Sequence, residues 1–183
     1  MTDTDILNEM IKDTALIALQ FNEYDKPYIL LNEPEIPDSN VTIYQPPLDT
    51  IVIKADACFS LDNIFKGEKG ECKRADYIII SVEKKCILYV ELKMMRDSWG
   101  KIVKQFKGAQ CFVKYCQEIA NVFWNKKDFL AGYKNQFINI RHISRKRKTR
   151  LDKEKQTHST PETAMKIYSP GRLQFNHIAN LSN

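Results

Sequence analysis

The sequence predicts an α/β fold of the α+β kind, a mixed β-sheet flanked by helices, folded as one domain over residues 1–183. Three observations carry that prediction. Apolar, β-branched and aromatic runs of strand length occur at 50–56, 77–81, 86–93 and 136–143. A long stripe of apolar residues at helical spacing, suited to packing on a sheet, stands between the last two runs. A chain of 183 residues can bury roughly 70% of its unfolded surface in one core and is short for two domains.

Taken in order, residues from about 4 to 21 read as a helix, because Ile6, Leu7, Met10, Ile11, Ala15, Leu16 and Leu19 recur at helical spacing and Thr2 or Thr4 can cap it. Prolines at 27, 34, 37, 46 and 47 make the next segment extended, with short strands near 28–31 and 41–44. A strand at 50–56 follows, then a loop or single helical turn over 61–73 containing Gly67 and Gly70. Residues from Ser98 to about Asn121 form the clearest helix: Ile102, Phe106, Ala109, Val113, Cys116 and Ala120 are separated by steps of four and three. Lys101 and Gln105 flank that stripe on one side and Gln110 on the other. After the strand at 136–143, the run Arg145-Lys146-Arg147-Lys148-Thr149-Arg150 opens a polar stretch to about Glu162, and short strands follow near 165–168 and 172–175. The core of the domain is therefore placed at about 50–143, with an acidic helix and Pro-rich segment at 1–49 and a basic loop with terminal strands at 144–183.

The runs 77–81 and 86–93 read as a hairpin broken by Val82-Glu83-Lys84-Lys85. If the turn is centred between Glu83 and Lys84, residues whose numbers sum to 167 face each other, and Asp76 then faces Glu91. Directly opposed Cβ atoms lie about 4.5–5.5 Å apart. Alternation puts Lys93 on the same face as Glu91, with Leu92 pointing away. A turn of odd length would move Asp76 off this partner. Two carboxylates held so close repel and ask for a cation.

Charge is divided along the chain. Residues 1–70 hold 13 acids and 5 bases, and residues 71–183 hold 10 acids and 23 bases. The basic part begins at the hairpin, which suggests a polyanionic partner such as a nucleic acid. No apolar run approaches the roughly 20 residues needed to span a bilayer, and the start Met1-Thr2-Asp3-Thr4-Asp5 lacks the basic opening of a secretory signal. A cytoplasmic protein without a membrane partner is the expectation. The five cysteines lack the paired spacing of a zinc site and read mostly as buried thiols. His142, His158 and His177 are scattered, and the stretch 66–70 is not a Walker loop, which excludes nucleotide hydrolysis by that route.

With this order of elements, Asp76, fourteen intervening residues, Glu91-Leu92-Lys93 and then an amphipathic helix bearing Gln105 and Gln110, the chain resembles the PD-(D/E)XK nuclease superfamily. The resemblance covers about residues 50–143 and implies a restriction-endonuclease-like core. It also implies magnesium or manganese held by Asp76, Glu91 and the backbone carbonyl of Leu92, with Lys93 assisting the attacking water and Gln105 joining the catalytic group. Ala75 stands where the family name has proline, and Gln110 and Tyr115 do not form the Gln-x-x-x-Tyr of the RecB-like branch. Many members add an acid from the N-terminal region; Glu9, Glu23, Glu33, Glu35 and Glu71 are the candidates here, with Glu23 preferred.

Chemistry leads the same way, since a hard cation on oxygen ligands both makes water nucleophilic and stabilises charge on a phosphate. The expected activity is metal-dependent hydrolysis of phosphodiester bonds, with DNA the first substrate to consider, in restriction, phage defence or repair. Lys101, Lys104, Arg145, Lys146, Arg147, Lys148 and Arg150 are the expected nucleic-acid contacts. The alternative is a nuclease-fold module that binds nucleic acid or a protein without turnover. A homodimer or a place in a larger complex is expected, because a chain of this size has little surface with which to span a duplex.

Overall fold

In the computed structural model the described residues are 1–32, 40–55, 63–93, 97–141, 157–168 and 172–181. Helix α1 (Asp3–Met10) is closed at its start by a capping box between Thr2 and Asp5. Ile11 then turns to extended backbone and a 3-10 turn covers Asp13–Ala15, so the helix expected over 4–21 ends early. The strands β1 (Leu16–Ile17) and β2 (Gln20–Phe21) occupy its predicted second half. Residues 15–19 are apolar at every position and suit either structure; pairing of Leu16 with Ile53 and of Ile17 with Val52 decides for strand.

A six-stranded sheet runs in the order β1, β5 (Ile51–Lys54), β6 (Tyr77–Ser81), β7 (Cys86–Lys93), β8 (Lys134–Arg141), β9 (Met165–Tyr168). Pairing is antiparallel through β7 and parallel for β7–β8 and β8–β9, so the sheet is mixed as expected. A second sheet has the order β10 (Leu173–Gln174), β4 (Val41–Tyr44), β3 (Pro27–Leu31), β2. The predicted last strand is shorter than expected, because helix α3 (Phe175–Ile178) begins where Phe175 was assigned to it.

The layers differ from a sheet flanked evenly by helices. Helix α2 (Trp99–Phe123), capped by the Ser98 hydroxyl, lays Ile102, Phe106, Ala109, Val113, Cys116 and Ala120 on one sheet face together with Ile6 and Leu7 of α1. The other face, carrying Val52, Tyr77, Ile79, Leu88, Val90, Ile138 and Ile140, is covered by Ile29, Leu31, Val41 and Ile43 of the second sheet and by α3. The proline-punctuated segment cannot form helix and instead supplies that second sheet. Under α2, Tyr89 stacks on Phe137 with centroids 4.7 Å apart, and Phe106 meets Phe137 edge-on at 5.4 Å. Each such ring contributes about 1.5–3 kcal/mol by burial alone, which ties β7, β8 and α2 into one block.

The hairpin register is the predicted one: Tyr77 pairs with Val90, and Ser81 with Cys86. Asp49 holds the four-residue turn. Its Oδ1 accepts from the Ser81 hydroxyl at 3.2 Å and its Oδ2 accepts from the Glu83 amide, while Ser81 Oγ accepts from the Lys84 amide at 3.2 Å. Lys85, at φ 46°, closes the turn in the left-handed region without a glycine. Asp49→Ala leaves the Ser81 hydroxyl and the Glu83 amide without their acceptor and is expected to destabilise the fold by about 1–3 kcal/mol, read as a lowered urea midpoint. An unchanged midpoint would show that the turn holds its register without Asp49.

Candidate functional site

Extending the hairpin register by one pair sets Asp76, the residue before β6, opposite Glu91. The Asp76 carbonyl accepts from the Ala55 amide at 2.9 Å, and its carboxylate Oδ2 accepts from the Leu92 amide at 2.6 Å. The acid is therefore fixed from both sides by backbone. On β7, alternation sends Leu88, Val90 and Leu92 to the second-sheet face, and Ile87 and Tyr89 to the α2 face. Glu91 and Lys93 continue the latter set.

Glu91 is fully buried, and its Oε2 has no hydrogen-bond partner among the described residues. Lys93 Nζ makes an ion pair with Glu91 Oε1 and lies 3.8 Å from Asp97. Burial, and then the charge of Asp76, push the Glu91 carboxyl well above the usual carboxylate range, with Lys93 opposing. Burial pulls Lys93 down, but Glu91, Asp76 and Asp97 together hold its ammonium above the ordinary lysine value. Asp97 is lowered chiefly by its hydrogen bond with Lys101, 3.1 Å from Oδ1.

Gln105 joins this side of the sheet. It is buried in the packed face of α2 rather than flanking it, and its Oε1 has no hydrogen-bond partner among the described residues. Lys101 is exposed and held by Asp97, while Lys104 is exposed with its stem against Gly70. Arg145, Lys146, Arg147, Lys148 and Arg150 lie outside the described residues, as do Glu33 and Glu35.

None of the three described N-terminal acids is shown with the pair. Glu9 accepts from the indole of Trp124, just beyond the far end of α2, at 2.9 Å. Glu71 is exposed and closes its own loop by accepting from the Gly67 and Lys69 amides. Glu23 lies exposed in the connection between β2 and β3, not at the end of a helix, because α1 stops at Met10. Among the described residues no group of three or more His, Cys, Asp or Glu side chains is placed to hold a metal ion.

The expectation of mostly buried thiols holds for Cys86 and Cys116; Cys111 is exposed and Cys72 half-buried. An open pocket of about 340 Å³ lies towards the other end of α2, lined by Gln117, Glu118, Asn121, Lys127, Phe129 and Ala131, and it holds no paired acids.

Two residues that sequence reasoning missed complete the group. The parallel β7–β8 pairing sets Asn139 beside Glu91 and Arg141 beside Lys93. Asn139 is fully buried and donates from Nδ2 to the Glu91 carbonyl at 3.4 Å. The available signal was a polar residue, Asn139, set between Ile138 and Ile140 in the apolar part of the strand.

Comparison with protein-family models, with curated proteins and with solved structures gave no significant match. Among the described residues no helix is long and apolar enough to cross a membrane.

Proposed function

We propose that this chain is a metal-dependent nuclease with a restriction-endonuclease-like core, hydrolysing phosphodiester bonds of a nucleic acid, in the first instance DNA. One observation carries the reading: a hairpin register that opposes Asp76 to Glu91 and leaves Lys93 on the same face. Antiparallel β5–β6–β7, followed by α2 and the parallel β8, is the order of elements on which the resemblance rests.

The donor set suits magnesium or manganese. Asp76, Glu91 and the Leu92 carbonyl offer only oxygen, and magnesium is commonly held by one or two carboxylates with water completing its shell. Glu91 Oε2, buried and without a hydrogen-bond donor among the described residues, is an oxygen that a cation would satisfy. A bound ion of this kind supplies an acidified water and charge neutralisation at the phosphate. Lys93 contributes a preorganised positive charge where negative charge develops, and Asp76 is kept in place by the Leu92 amide. The excess of bases after residue 70 favours the phosphate backbone as partner. A cytoplasmic role in restriction, phage defence or repair, as a homodimer or within a larger complex, fits a compact nuclease of this length.

That no third acid joins the pair among the described residues favours a second reading, a nucleic-acid-binding module without turnover. Incubation with plasmid and single-stranded DNA in magnesium or manganese separates the two. Wild type is expected to cut, and Asp76→Ala and Lys93→Ala are each expected to lose on the order of 10²–10³ in rate. Cutting that survives both substitutions would sink the assigned site; salt-sensitive binding without cutting would establish the module.

A further inference from the structure

We propose that Asn139 and Arg141 of β8 form a phosphate-holding pair, in which Arg141 grips the non-bridging oxygens of the phosphodiester and Asn139 positions it. The inference rests on the reading that Asp76, Glu91 and Lys93 face that phosphodiester. Parallel pairing puts Asn139 beside Glu91 and Arg141 beside Lys93, so both belong to the face of the sheet that carries the acids.

The orientation of the Asn139 amide is determined by its partners. Nδ2 donates to the Glu91 carbonyl at 3.4 Å and Oδ1 accepts from Arg141 Nε at 2.9 Å. A carbonyl cannot donate and a guanidinium cannot accept, so the flipped amide would lose both bonds. With Nε committed, the terminal amino groups of Arg141 remain for a forked contact of the kind that matches phosphate oxygens.

Counter-charges point the same way. Among the described residues Lys93 is paired with Glu91, and Lys166, the β9 neighbour of Asn139, sits 3.9 Å over the Trp99 ring. Asp97 feels the field of Arg141 but has Lys101 at 3.0 Å and Lys93 at 3.8 Å as its ion pairs. Arg141 has no carboxylate at ion-pair distance among the described residues. A half-buried, oriented guanidinium beside the acid pair, with no anion of its own there, is matched to an anion brought by a ligand.

The test uses the full chain and a fluorescein-labelled DNA duplex, with binding followed by anisotropy across salt in metal-free buffer and cutting followed in magnesium. Arg141→Ala is expected to weaken binding about tenfold or more and to lower the salt slope by about one. Arg141→Lys and Asn139→Leu keep the charge; both should keep the wild-type slope yet cut at least about tenfold more slowly, because the fork is lost in one and its orientation in the other. Melting curves check folding, and Asn139→Ser replaces Asn139→Leu if the latter does not fold. Wild-type affinity and slope in Arg141→Ala, or wild-type cutting by a folded Asn139 variant, would overturn the pair. If those variants behave as wild type while Asp76→Ala abolishes cutting, the inference fails and the nuclease reading stands. If wild type cuts nothing, that reading fails, and the binding data alone decide Arg141: a lowered slope upholds its phosphate contact and an unchanged slope removes it.

Discussion

Gly108→Ala is expected to destabilise the protein by at least about 3 kcal/mol, the upper end of what overpacking ordinarily costs. A Cβ built at this helix position would stand 1.6 Å from the Lys73 carbonyl oxygen and 2.7 Å from its carbon. Both atoms are backbone, so no side-chain rotation relieves the overlap. The helix and the segment leading to Asp76 must separate, and Asp76 lies only three residues after Lys73. Since domains are stable by only about 5–15 kcal/mol, the loss should be plain in a urea titration, with cutting reduced in any fraction that folds. Gly100 is the internal control: it lies in the same helix and a Cβ there meets nothing within 4 Å. Gly100→Ala should raise stability by about 0.5–1 kcal/mol through helix propensity and unfolded-state entropy. Equal effects at the two glycines would refute the close approach of Lys73 to α2.

Glu91→Gln is expected to abolish cutting while stabilising the metal-free protein at neutral and alkaline pH. The folded chain holds the Glu91 proton to a higher pH than the unfolded chain does, because burial and Asp76 disfavour the carboxylate. Its contribution to stability is therefore complete below the ordinary glutamate value of about 4.3, and is lost as pH rises from there through the raised folded value. Glutamine does not titrate, so Glu91→Gln should flatten that decline and exceed wild type above it. The gain is about 1.4 kcal/mol for each pH unit by which the folded value is raised, less what is lost with the Lys93 ion pair. Thermal melts in EDTA across this range measure the difference. Magnesium at ten times its dissociation constant should return about 1.4 kcal/mol to wild type and little to Glu91→Gln. A pH slope shared by the two proteins would mean that Glu91 is not the titrating group.

What could be read in advance follows the range of the forces involved. The hairpin is local: two apolar arms and a four-residue polar break determine one another, and the register found in the structure is the one that opposes Asp76 to Glu91. The buried stripe of α2 is equally local, and all six residues assigned to it are in the core. Residues 11–21 were misread because their apolar run satisfies helix and strand alike, and only pairing chose between them, with the open edge of β5 for Leu16–Ile17 and with β3 for Gln20–Phe21. Gln105 was placed at the margin of α2, but the packing of the helix on the sheet buries it.

By itself, then, the sequence determined the mixed α/β class, the opposed acids with their lysine, and the long helix behind them. Each of these is a matter of spacing within a single hairpin or helix. Only the tertiary structure decided how deeply Glu91 is buried, that helices cover one face and a second sheet the other, and that Asn139 and Arg141 stand beside the acids. The Asn139–Glu91 contact joins residues 48 positions apart across a parallel pair. Such a pair forms only after the intervening helix has folded back over the sheet, and no local pattern encodes which residues it will bring together.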